Sequence, residues 1–486
     1  MSSIPTHQDD PDYFIQINEK WVAFCIAFAA FTFQFEAFLV SVSLPDMARE
    51  LDTSSTAISF VLITYLLGAS IVFVPAGHLG YRYGLRTIFL FGCAFACIGT
   101  LASGLSSSLS MLCVSRFIQG TGMGAIVATS YAMVPAWVSK TRLGWGYGML
   151  SLGAGLGMIA GLPVGGLIAY YLSWHWIFLA TVPIFVLLIG VANKYLPRHR
   201  TSCAVDSQVD HRQDLDWLSI VIFSIFIITL ILSISLGAEL GWTSVFILSL
   251  AIINVLFAGL MIFRLVKHTL DHSDSLLRCQ GFVAGLVVLF LFQFVSAGLR
   301  FLMPFHLEIS FGFSVLVSSY LLLMFPLSFA PTGVWSGRLA DRVGSWPIVT
   351  SSIGLCILIC AIYAGWVEQK IVWMFCGFMI IFGIASALFS PANNRLIMLN
   401  VPQKFVAQAS ALLPVALNVG SMLGVSVFET LFSLYFPQDA MSSLGFLSQT
   451  ESSEQILNEG FERSFVLASL VFCVTLTIML KLRRSS

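Results

Sequence analysis

Long apolar runs separated by short polar segments dominate this chain of 486 residues. A bilayer core about 30 Å thick is crossed by about 20 apolar residues of α-helix. Backbone polar groups inside lipid must bond within their own segment, so these runs are predicted to be helices. Fourteen runs have the required length, at residues 21–45, 56–76, 87–106, 109–135, 144–171, 174–196, 215–237, 243–266, 280–303, 315–336, 346–366, 371–391, 405–431 and 464–482.

The lysines and arginines between these spans are distributed unevenly. Cytoplasmic loops of membrane proteins carry an excess of these residues. If the N-terminus is cytoplasmic and the spans alternate, 19 basic residues fall on the cytoplasmic side and four on the outer side, and Arg116 is left inside the membrane. A miscounted span would scramble this bias. The sequence therefore predicts fourteen spans with both termini in the cytoplasm.

The polar segments outside the spans fit this topology. The first 20 residues are polar and lack the basic region and cleavage site of a secretory signal, so the first span is predicted to be uncleaved. Residues 197–214 are predicted to form a cytoplasmic loop after the sixth span. Residues 437–463 are acidic and are predicted to form an outer loop.

Composition narrows the class of protein. Hydrophobic residues make up 58% of the chain and charged residues 10%, whereas a soluble domain carries about 25% charged residues. The formal net charge is zero, which gives no reason to expect a nucleic-acid partner. The ten cysteines form no CxxC pair with histidine partners, which argues against a metal site or a disulfide framework. Most of the surface must therefore face lipid.

An enzyme is the least favoured class. We find no nucleophile–base set, metal-ligand cluster or nucleotide-binding glycine loop in the sequence. The loops are too short for a catalytic domain, and the missing phosphate-binding loop argues against ATP as a driving force. No cofactor and no metal are expected.

Two short segments resemble each other across the chain. Residues 77–86, GHLGYRYGLR, follow the second span, and residues 337–345, GRLADRVGS, follow the second span of the last six. Glycines permit a tight turn, and arginines remain near the headgroups. One element repeated at equivalent positions indicates two homologous halves, a pattern common in secondary transporters.

These segments are similar to the signature loop of the major facilitator superfamily. Further resemblances lie in residues 116–124, RFIQGTGMG, which resemble the fourth-helix motif, and in WHWIF at 174–178, which resembles the run opening the sixth helix. Asp216-Trp217 opens the seventh span and Gly241-Trp242 precedes the eighth. With fourteen spans, the chain resembles the drug–proton antiporter branch. The fifth span is similar to the family's fifth-helix motif associated with antiporters, at Gly153, Gly157, Gly161, Pro163, Gly165 and Gly166.

The chain departs from the family pattern at three places. Tyr81 stands in the first signature loop where the family has an aspartate, while the second copy keeps Asp341. Pro163 lies one position later than the family's proline, and His175 replaces an arginine in the sixth-helix run. The resemblance therefore implies the fold more firmly than it implies gating in the N-terminal half or a generic drug substrate.

Two charges lie deep inside the predicted spans. Glu36 lies about 15 residues into the first span, and Arg116 lies about seven residues into the fourth, which enters from outside. At about 1.5 Å per residue, both lie roughly 20 Å from the inner surface. A charge at mid-bilayer costs about 2.5–3.5 kcal/mol on insertion scales, so each needs a role. Glu36 is either a proton carrier coupled to Arg116 or half of a permanent pair that fixes helix packing.

Other charges are candidates for gating or for secondary contacts. They lie in the two signature loops or near predicted outer helix ends: Asp341, Arg338, Arg342, Arg82, Arg86, Glu429 and Arg300. The loop arginines are expected to anchor and gate. Arg300, close to Glu308, is a candidate contact of an extracellular gate, and Glu429 is either a secondary charge or an interfacial side chain.

The sequence favours a proton-coupled antiporter that exports drug-like or amphiphilic small molecules across a plasma membrane, with a bacterial inner membrane expected. Its partners would be the substrate, protons and the lipid bilayer, while a periplasmic or outer-membrane partner stays undetermined. The alternatives are a dedicated exporter or importer of an endogenous metabolite such as a siderophore, and a non-transporting sensor. The predicted organisation is a tail at 1–20, a six-helix bundle at 21–196, loops with two extra helices at 197–279, and a six-helix bundle at 280–486.

Overall fold

The computed structural model of the chain describes residues 18–41, 43–53, 55–197, 217–241, 243–271, 276, 279–435 and 451–485. Within these ranges every regular element is helical. The tail up to residue 17, nearly all of the predicted loop 197–214, and Asp216 and Trp242 of the quoted motifs lie outside the described residues.

Fourteen long helices carry the fold in the described part of the chain, and we label them α1–α14 in chain order. Short helical segments at His175–Leu179 and Val315–Leu322 precede α6 and α10, and a π-helical turn at His306–Ser310 follows α9. The bounds are α1 Glu19–Ser41, α2 Ser55–Tyr83, α3 Leu85–Gly104, α4 Leu109–Trp137, α5 Leu143–Tyr171, α6 Val182–Tyr195, α7 Trp217–Leu240, α8 Val245–Asp271, α9 Gln280–Phe305, α10 Met324–Val343, α11 Ser345–Ala364, α12 Val372–Leu399, α13 Val406–Tyr435 and α14 Glu451–Ser485.

Length and hydropathy of the helices test the predicted number of membrane spans. Twelve helices within the described residues are long and apolar enough to cross a bilayer. Helices are present at both positions predicted for the extra pair, but their described apolar stretches, Val221–Ser233 and Val245–Met261, are shorter than the others. The all-helical membrane architecture is therefore confirmed, while the count of fourteen spans stays a prediction.

Helix packing repeats between the first and last six helices. In the first set α1 packs on α5, α2 on α4, and α3 on α6. In the last set the equivalent pairs are α9 on α13, α10 on α12, and α11 on α14. The contacts between the sets are also equivalent, because α5 packs on α10 and α13 packs on α2. This exchange of equivalent contacts is what pseudo-twofold symmetry produces.

The turn after the second helix of each set is tighter than the sequence indicated. Helix α2 continues through most of the first signature segment to Tyr83, and α10 continues to Val343. Gly84 has φ +102° and Gly344 has φ +95°, so a single left-handed glycine makes each turn. L-residues avoid this backbone region, which explains glycine at both positions.

The C-terminal part of the predicted outer loop 437–463 is helical, which corrects the prediction. Helix α14 begins at Glu451, whereas the last span was predicted to begin at residue 464. The apolar stretch begins only at Asn458, so the first turns are polar and lie beyond it. Exposed Arg463 and Glu459 form an ion pair four residues apart, a spacing that supports a solvated helix. Hydropathy alone could not detect a helix that extends out of the lipid.

Small residues bring α5 very close to α1. A methyl group added at Gly153 would overlap the backbone of Ala27, with the carbonyl carbon 2.7 Å away, and one at Gly161 would lie 2.8 Å from the carbonyl oxygen of Phe35. A methyl group at Gly157 would lie 2.8 Å from the backbone nitrogen of Phe35 and would also overlap the carbonyl oxygen of Phe31. Without a hydrophobic force between helices in lipid, such close backbone approach is a main source of helix association.

Helices α7 and α8 lie at the outside of this arrangement. Helix α7 packs on α2 and α13 through a cluster that contains Ile63, Ile227, Ile231 and Val419, and α8 packs mainly on α7. Of the described residues that line the central cavity discussed below, none belongs to α7 or α8.

Candidate functional site

Glu36 and Arg116 meet inside the first set of helices. The Oε1 atom of Glu36 lies 3.3 Å from Nη1 of Arg116, and the two side chains are 1% and 0% exposed. Helix α1 carries the carboxylate and α4 the guanidinium, although the residues are 80 positions apart. The structure thus brings together the two charges that the sequence placed at a similar depth.

Neighbouring side chains position the guanidinium. Nη1 of Arg116 donates to Oε1 of Gln119 at 2.6 Å, and Nε2 of Gln119 donates to Oγ1 of Thr100 at 2.5 Å. Nε of Arg116 donates to the carbonyl oxygen of Val61 at 3.4 Å. The rings of Tyr65 and Phe178 also lie near Arg116, with Tyr65 closer at 4.2 Å from Cζ to the ring centroid. The arginine is therefore fixed from α2, α3 and α4.

The buried pair is incompletely satisfied. Oε2 of Glu36 and Nη2 of Arg116 are both inaccessible and have no hydrogen-bond partner. Burial favours the neutral carboxyl group, whereas the adjacent guanidinium favours the carboxylate. A buried ion pair is stable only when most of its bonding capacity is used. Both members of the pair therefore keep unused bonding capacity in a fully buried position.

A cavity of about 230 Å³ lies between the two sets of helices. Its wall is formed by α1, α4 and α5 from the first set and by α9, α10, α12 and α13 from the last. The lining combines aromatic rings with polar groups that include Gln34, Tyr147, Gln293, Asn394 and Asn418. Concave sites with a mostly apolar wall and a few polar groups are typical of small-molecule binding. Among the described residues there is no group of three His, Cys, Asp or Glu that could hold a metal.

The buried pair lies beside the cavity rather than in its wall. Gln34 and Phe33 of α1 line the cavity, but Glu36 does not. The ring of Phe33 lies 6.4 Å from that of Tyr65, which in turn lies against Arg116. Packed rings therefore connect the cavity wall to the ion pair.

Arg300 is the charged residue in the described wall of the cavity. Its Cζ lies 5.3 Å from the ring centroid of Phe325, and its side chain is partly exposed. The sequence suggested Glu308 as a neighbour of Arg300. Glu308 is exposed, and no ion pair joins the two side chains in the described part of the chain. The position near the end of α9 thus faces the cavity, and its predicted gate function stays a prediction.

Asp341 connects the two sets of helices. Its Oδ2 accepts a hydrogen bond from the backbone N–H of Trp145 at 2.8 Å, and its Oδ1 accepts one from the N–H of Gly144 at 2.9 Å. Oδ1 also accepts from Nε of Arg395 at 2.8 Å, and Nη1 of Arg395 donates to Oγ of Ser345 at 3.1 Å. A carboxylate at the N-terminus of α5 satisfies amides that have no intrahelical acceptor and complements the helix dipole.

The first signature segment makes the equivalent contact without a carboxylate. A methyl group at Gly77 would lie 2.6 Å from Cβ of Ala411 on α13, and one at Gly337 would lie 2.6 Å from the carbonyl carbon of Gly144 on α5. Both glycines therefore permit close approach between the sets. Tyr81 is half-buried against the apolar core.

The remaining predicted residues occupy different surroundings. Arg86 donates to the carbonyl oxygen of Asn193 at 3.0 Å, and Arg82 lies 5.6 Å from the ring of Tyr83. Arg338 and Arg342 are exposed, and Glu429 is half-buried on α13. Their predicted gating roles are not tested by these contacts.

The antiport motif divides into packed and unpacked positions. Gly153, Gly157, Gly161 and Gly165 recur every four residues and all meet α1, whereas a methyl group at Gly166 would have no atom within 4 Å. Pro163 is exposed within α5. The motif is therefore a packing surface in this structure, and its predicted link to antiport remains a prediction.

Several contributing residues are absent from the sequence prediction. Gln119 lies inside the quoted fourth-helix motif, one turn after Arg116, and this spacing is a signal that could have indicated it. Gly148 and Gly333 meet across α5 and α10, where a methyl group at Gly148 would lie 3.0 Å from Cα of Val334. Their four-residue spacing from Gly144 and Gly337 is a second such signal. No such signal pointed to Arg395, because its position in the sequence is that of an ordinary cation in a cytoplasmic loop.

Comparison with known proteins gives consistent similarities along the chain. The sequence profile of the Major Facilitator Superfamily matches residues 26–222 and 215–425. The chain is 23% identical over 458 residues to the riboflavin transporter RibZ of Clostridioides difficile, which covers 94% of this chain and 96% of the relative. It is 24% identical over 427 residues to the putative multidrug resistance protein MdtD of Escherichia coli, covering 87% and 88% of the two chains. The solved structure of the proton:xylose symporter XylE is similar in fold, with a TM-score of 0.62 at 14% identity, and covers 93% of this chain and 94% of the other.

Proposed function

Because this chain belongs to the major facilitator superfamily and is an integral membrane transporter, we propose that it is a proton-coupled antiporter that exports amphiphilic small molecules by alternating access. The substrate would bind in the cavity between the two sets of helices, and inward proton flow would drive its outward movement. The proposed organisation keeps the boundaries derived from the sequence, with bundles at 21–196 and 280–486.

The observation that carries the proposal is the buried pair of Glu36 and Arg116. A pair that serves only for packing would be expected to use its bonding capacity fully, since unsatisfied buried polar groups cost about 1–3 kcal/mol each. Oε2 of Glu36 and Nη2 of Arg116 are unsatisfied at less than 2% exposure. Protonation of Glu36 would release Arg116 toward Gln119 and Val61, which already accept from it.

Coupling to the substrate requires a route from this pair to the cavity. Phe33 lines the cavity and packs on Tyr65, which covers the guanidinium of Arg116. A substrate that displaces Phe33 would shift Tyr65, and loss of this cover would admit water to Glu36. We propose this aromatic contact as the mechanical link between substrate and proton.

Alternating access requires contacts between the sets that can break and re-form. Helices α5 and α10 meet from the pair Gly144 and Gly337 to the pair Gly155 and Ala330, and Asp341 closes the end of this interface. We expect this end to lie in the cytoplasm, because the basic residues between the spans concentrate on the same side. On this assignment the contact would close the cytoplasmic side, and release of substrate to the outside would be the next step.

The same architecture is also compatible with two alternative functions. The names of the relatives include a riboflavin transporter and a putative multidrug resistance protein, so a dedicated metabolite exporter or an importer would use the same cavity. A sensor without flux would need no proton site, and the incompletely satisfied pair of Glu36 and Arg116 favours transport over it.

The experiment begins with a screen of compounds exported from cells in the presence and absence of a proton gradient. The compound identified is then followed in reconstituted vesicles that contain the wild type, Glu36→Gln, Arg116→Ala or Glu368→Gln. Glutamine preserves the shape of the side chain but cannot release a proton. We expect Glu36→Gln to fold and bind substrate yet lose gradient-driven export, while the exposed control Glu368→Gln transports normally.

The melting temperature in detergent distinguishes the two roles of the pair. If Glu36 serves only to hold Arg116, the Glu36→Gln protein should lose stability before it loses coupling. Normal pH-driven export by a well-folded Glu36→Gln protein would exclude Glu36 as the obligatory proton carrier.

A further inference from the structure

We propose that the cavity selects substrates that carry an anionic group, such as a carboxylate, on an aromatic or otherwise apolar body, and that Arg300 binds this group. The inference rests on the proposed function in one respect, namely that the cavity is the substrate site. It adds the chemical class of substrate, which neither the fold nor the relatives establish.

The first observation is the sign of the charge in the cavity. Among the described lining residues Arg300 is charged and no aspartate or glutamate accompanies it. A site for cationic amphiphiles would be expected to present a carboxylate, because a desolvated cation is costly unless it is paired. The lone positive charge instead favours an anionic partner.

The second observation is that the other charges buried in the described helices already have partners. Glu36 is paired with Arg116, and Asp341 is bound to Arg395 and to the N-terminus of α5. No ion pair or hydrogen bond joins the guanidinium of Arg300 to any residue in the described part of the chain. A guanidinium has five donors in a planar fork suited to a carboxylate, so its whole bonding capacity is free for a ligand.

The third observation is the surroundings of this cation. Its Cζ lies 5.3 Å from the ring centroid of Phe325, which restricts the arginine without neutralising it. Ser296 lies one helical turn before Arg300 and also lines the cavity, and its buried hydroxyl has no hydrogen-bond partner. The hydroxyl is therefore placed to donate to the same anionic group.

The rest of the wall suits the body of such a molecule. Phe33, Phe292 and Phe389 provide aromatic faces, and Phe292 and Phe389 stack with centroids 3.7 Å apart. Buried polar atoms without partners also face this region, namely the hydroxyls of Ser386 and Tyr147 and the side-chain oxygen of Asn394. Substrates with hydrogen-bonding groups in addition to the anion would satisfy them.

The proposal can be tested with three ligands that share a naphthalene ring and differ in the charge of a small substituent. Binding of 2-naphthoate, 2-naphthamide and 2-naphthylmethylamine to the purified full-length protein is measured by titration calorimetry without any proton gradient. The wild type is expected to bind the carboxylate about tenfold to a hundredfold more tightly than the amide, which corresponds to about one charge-assisted hydrogen bond. The ammonium compound is expected to bind most weakly.

Variants identify the residue responsible. Arg300→Gln is expected to remove the preference for the carboxylate while leaving amide binding within about twofold, and Arg300→Lys to retain part of it. Arg49→Gln is the matched control, because Arg49 is 79% exposed and pairs with Asp46 outside the cavity. Equal binding of the three ligands, no carboxylate binding at millimolar concentration, or an unchanged preference in a folded Arg300→Gln protein would each overturn the proposal.

The outcome is separable from that of the coupling experiment. Binding without a gradient does not depend on Glu36 acting as a proton carrier, so Glu36→Gln is expected to keep the carboxylate preference. Loss of coupling with the preference retained supports both proposals, whereas a retained preference with normal coupling in Glu36→Gln rejects only the proton site.

Discussion

The contact between Asp341 and the N-terminus of α5 offers the sharpest test of how the two sets of helices close on each other. Replacing Asp341 by asparagine removes the charge and turns one oxygen into a donor. If Nδ2 takes the place of Oδ2, it faces the N–H of Trp145. If it takes the place of Oδ1, it faces the N–H of Gly144 and Nε of Arg395. In either orientation at least one donor loses its acceptor.

The magnitude follows from the bonds that the carboxylate makes. Hydrogen bonds to charged groups contribute about 1.5–3 kcal/mol each, so loss of one bond and weakening of the others amounts to about 2–4 kcal/mol. Asp341 and Arg395 are 10% and 13% exposed, so solvent screening of this loss is modest. At about 1.4 kcal/mol per tenfold change, the closed state should lose stability relative to the separated one by about 30-fold to about 1,000-fold.

Hydrogen exchange measures this loss at the amides concerned. The first amides of a helix have no intrahelical acceptor, so Gly144 and Trp145 are protected by Asp341. In Asp341→Asn we expect exchange in a peptide that begins at Leu143 to accelerate by the same factor, and export to fall strongly.

Glu19→Gln is the matched control for this experiment. Glu19 also accepts from a backbone N–H, that of Ser139 at 3.0 Å, and pairs with Arg142 at 2.7 Å, but its contacts lie within the first set of helices. Its exchange effect should therefore be confined to the segment near Ser139. Unchanged exchange at Gly144 and Trp145 together with normal export in Asp341→Asn would refute the assignment of this contact as the closure between the sets.

Two further predictions concern positions where the chain departs from or repeats the family pattern. Tyr81→Asp should be tolerated or should improve export, in contrast to Asp341→Asn. Equally severe loss from both in the vesicle assay would mean that the first loop has been rebuilt around Tyr81. Gly153→Ala should destabilise the protein by about 1–3 kcal/mol, because its methyl group would overlap the backbone of Ala27. Gly166→Ala should be neutral or slightly stabilising, and equal melting temperatures of the two variants would show that α1 and α5 do not pack as described.

Prediction from the sequence was most successful where the physics is local. A helix in lipid bonds within itself, so the length of an apolar run alone indicates a spanning helix, and twelve of the predicted runs are confirmed in this way. The repeat of the signature segment indicated two equivalent sets, and the equivalent packing of α1 on α5 and α9 on α13 agrees with it. The ends of helices were harder to predict, as the early start of α14 shows.

The sequence predicted which charges lie at a similar depth in the membrane, but not which residues they contact. Counting residues from the helix ends placed Glu36 and Arg116 at a similar depth, and the structure joins them at 3.3 Å. The same counting placed Arg300 near an outer helix end, but rotation about the helix axis decides whether such a residue meets lipid, water or a cavity. That rotation depends on neighbouring helices and cannot be obtained from the position of one residue.

The sequence by itself thus determined that most of the surface faces lipid, and it indicated the helical spans, the twofold repeat, the family and the buried charges. The tertiary structure alone decided which helices meet and what each charge touches. Apolar side chains gain little by leaving lipid for another helix, so partners are selected by close contacts such as Gly153 with Ala27 and by single polar bonds such as that of Asp341 with α5. Such contacts join residues up to 197 positions apart, and no periodicity along the chain encodes them.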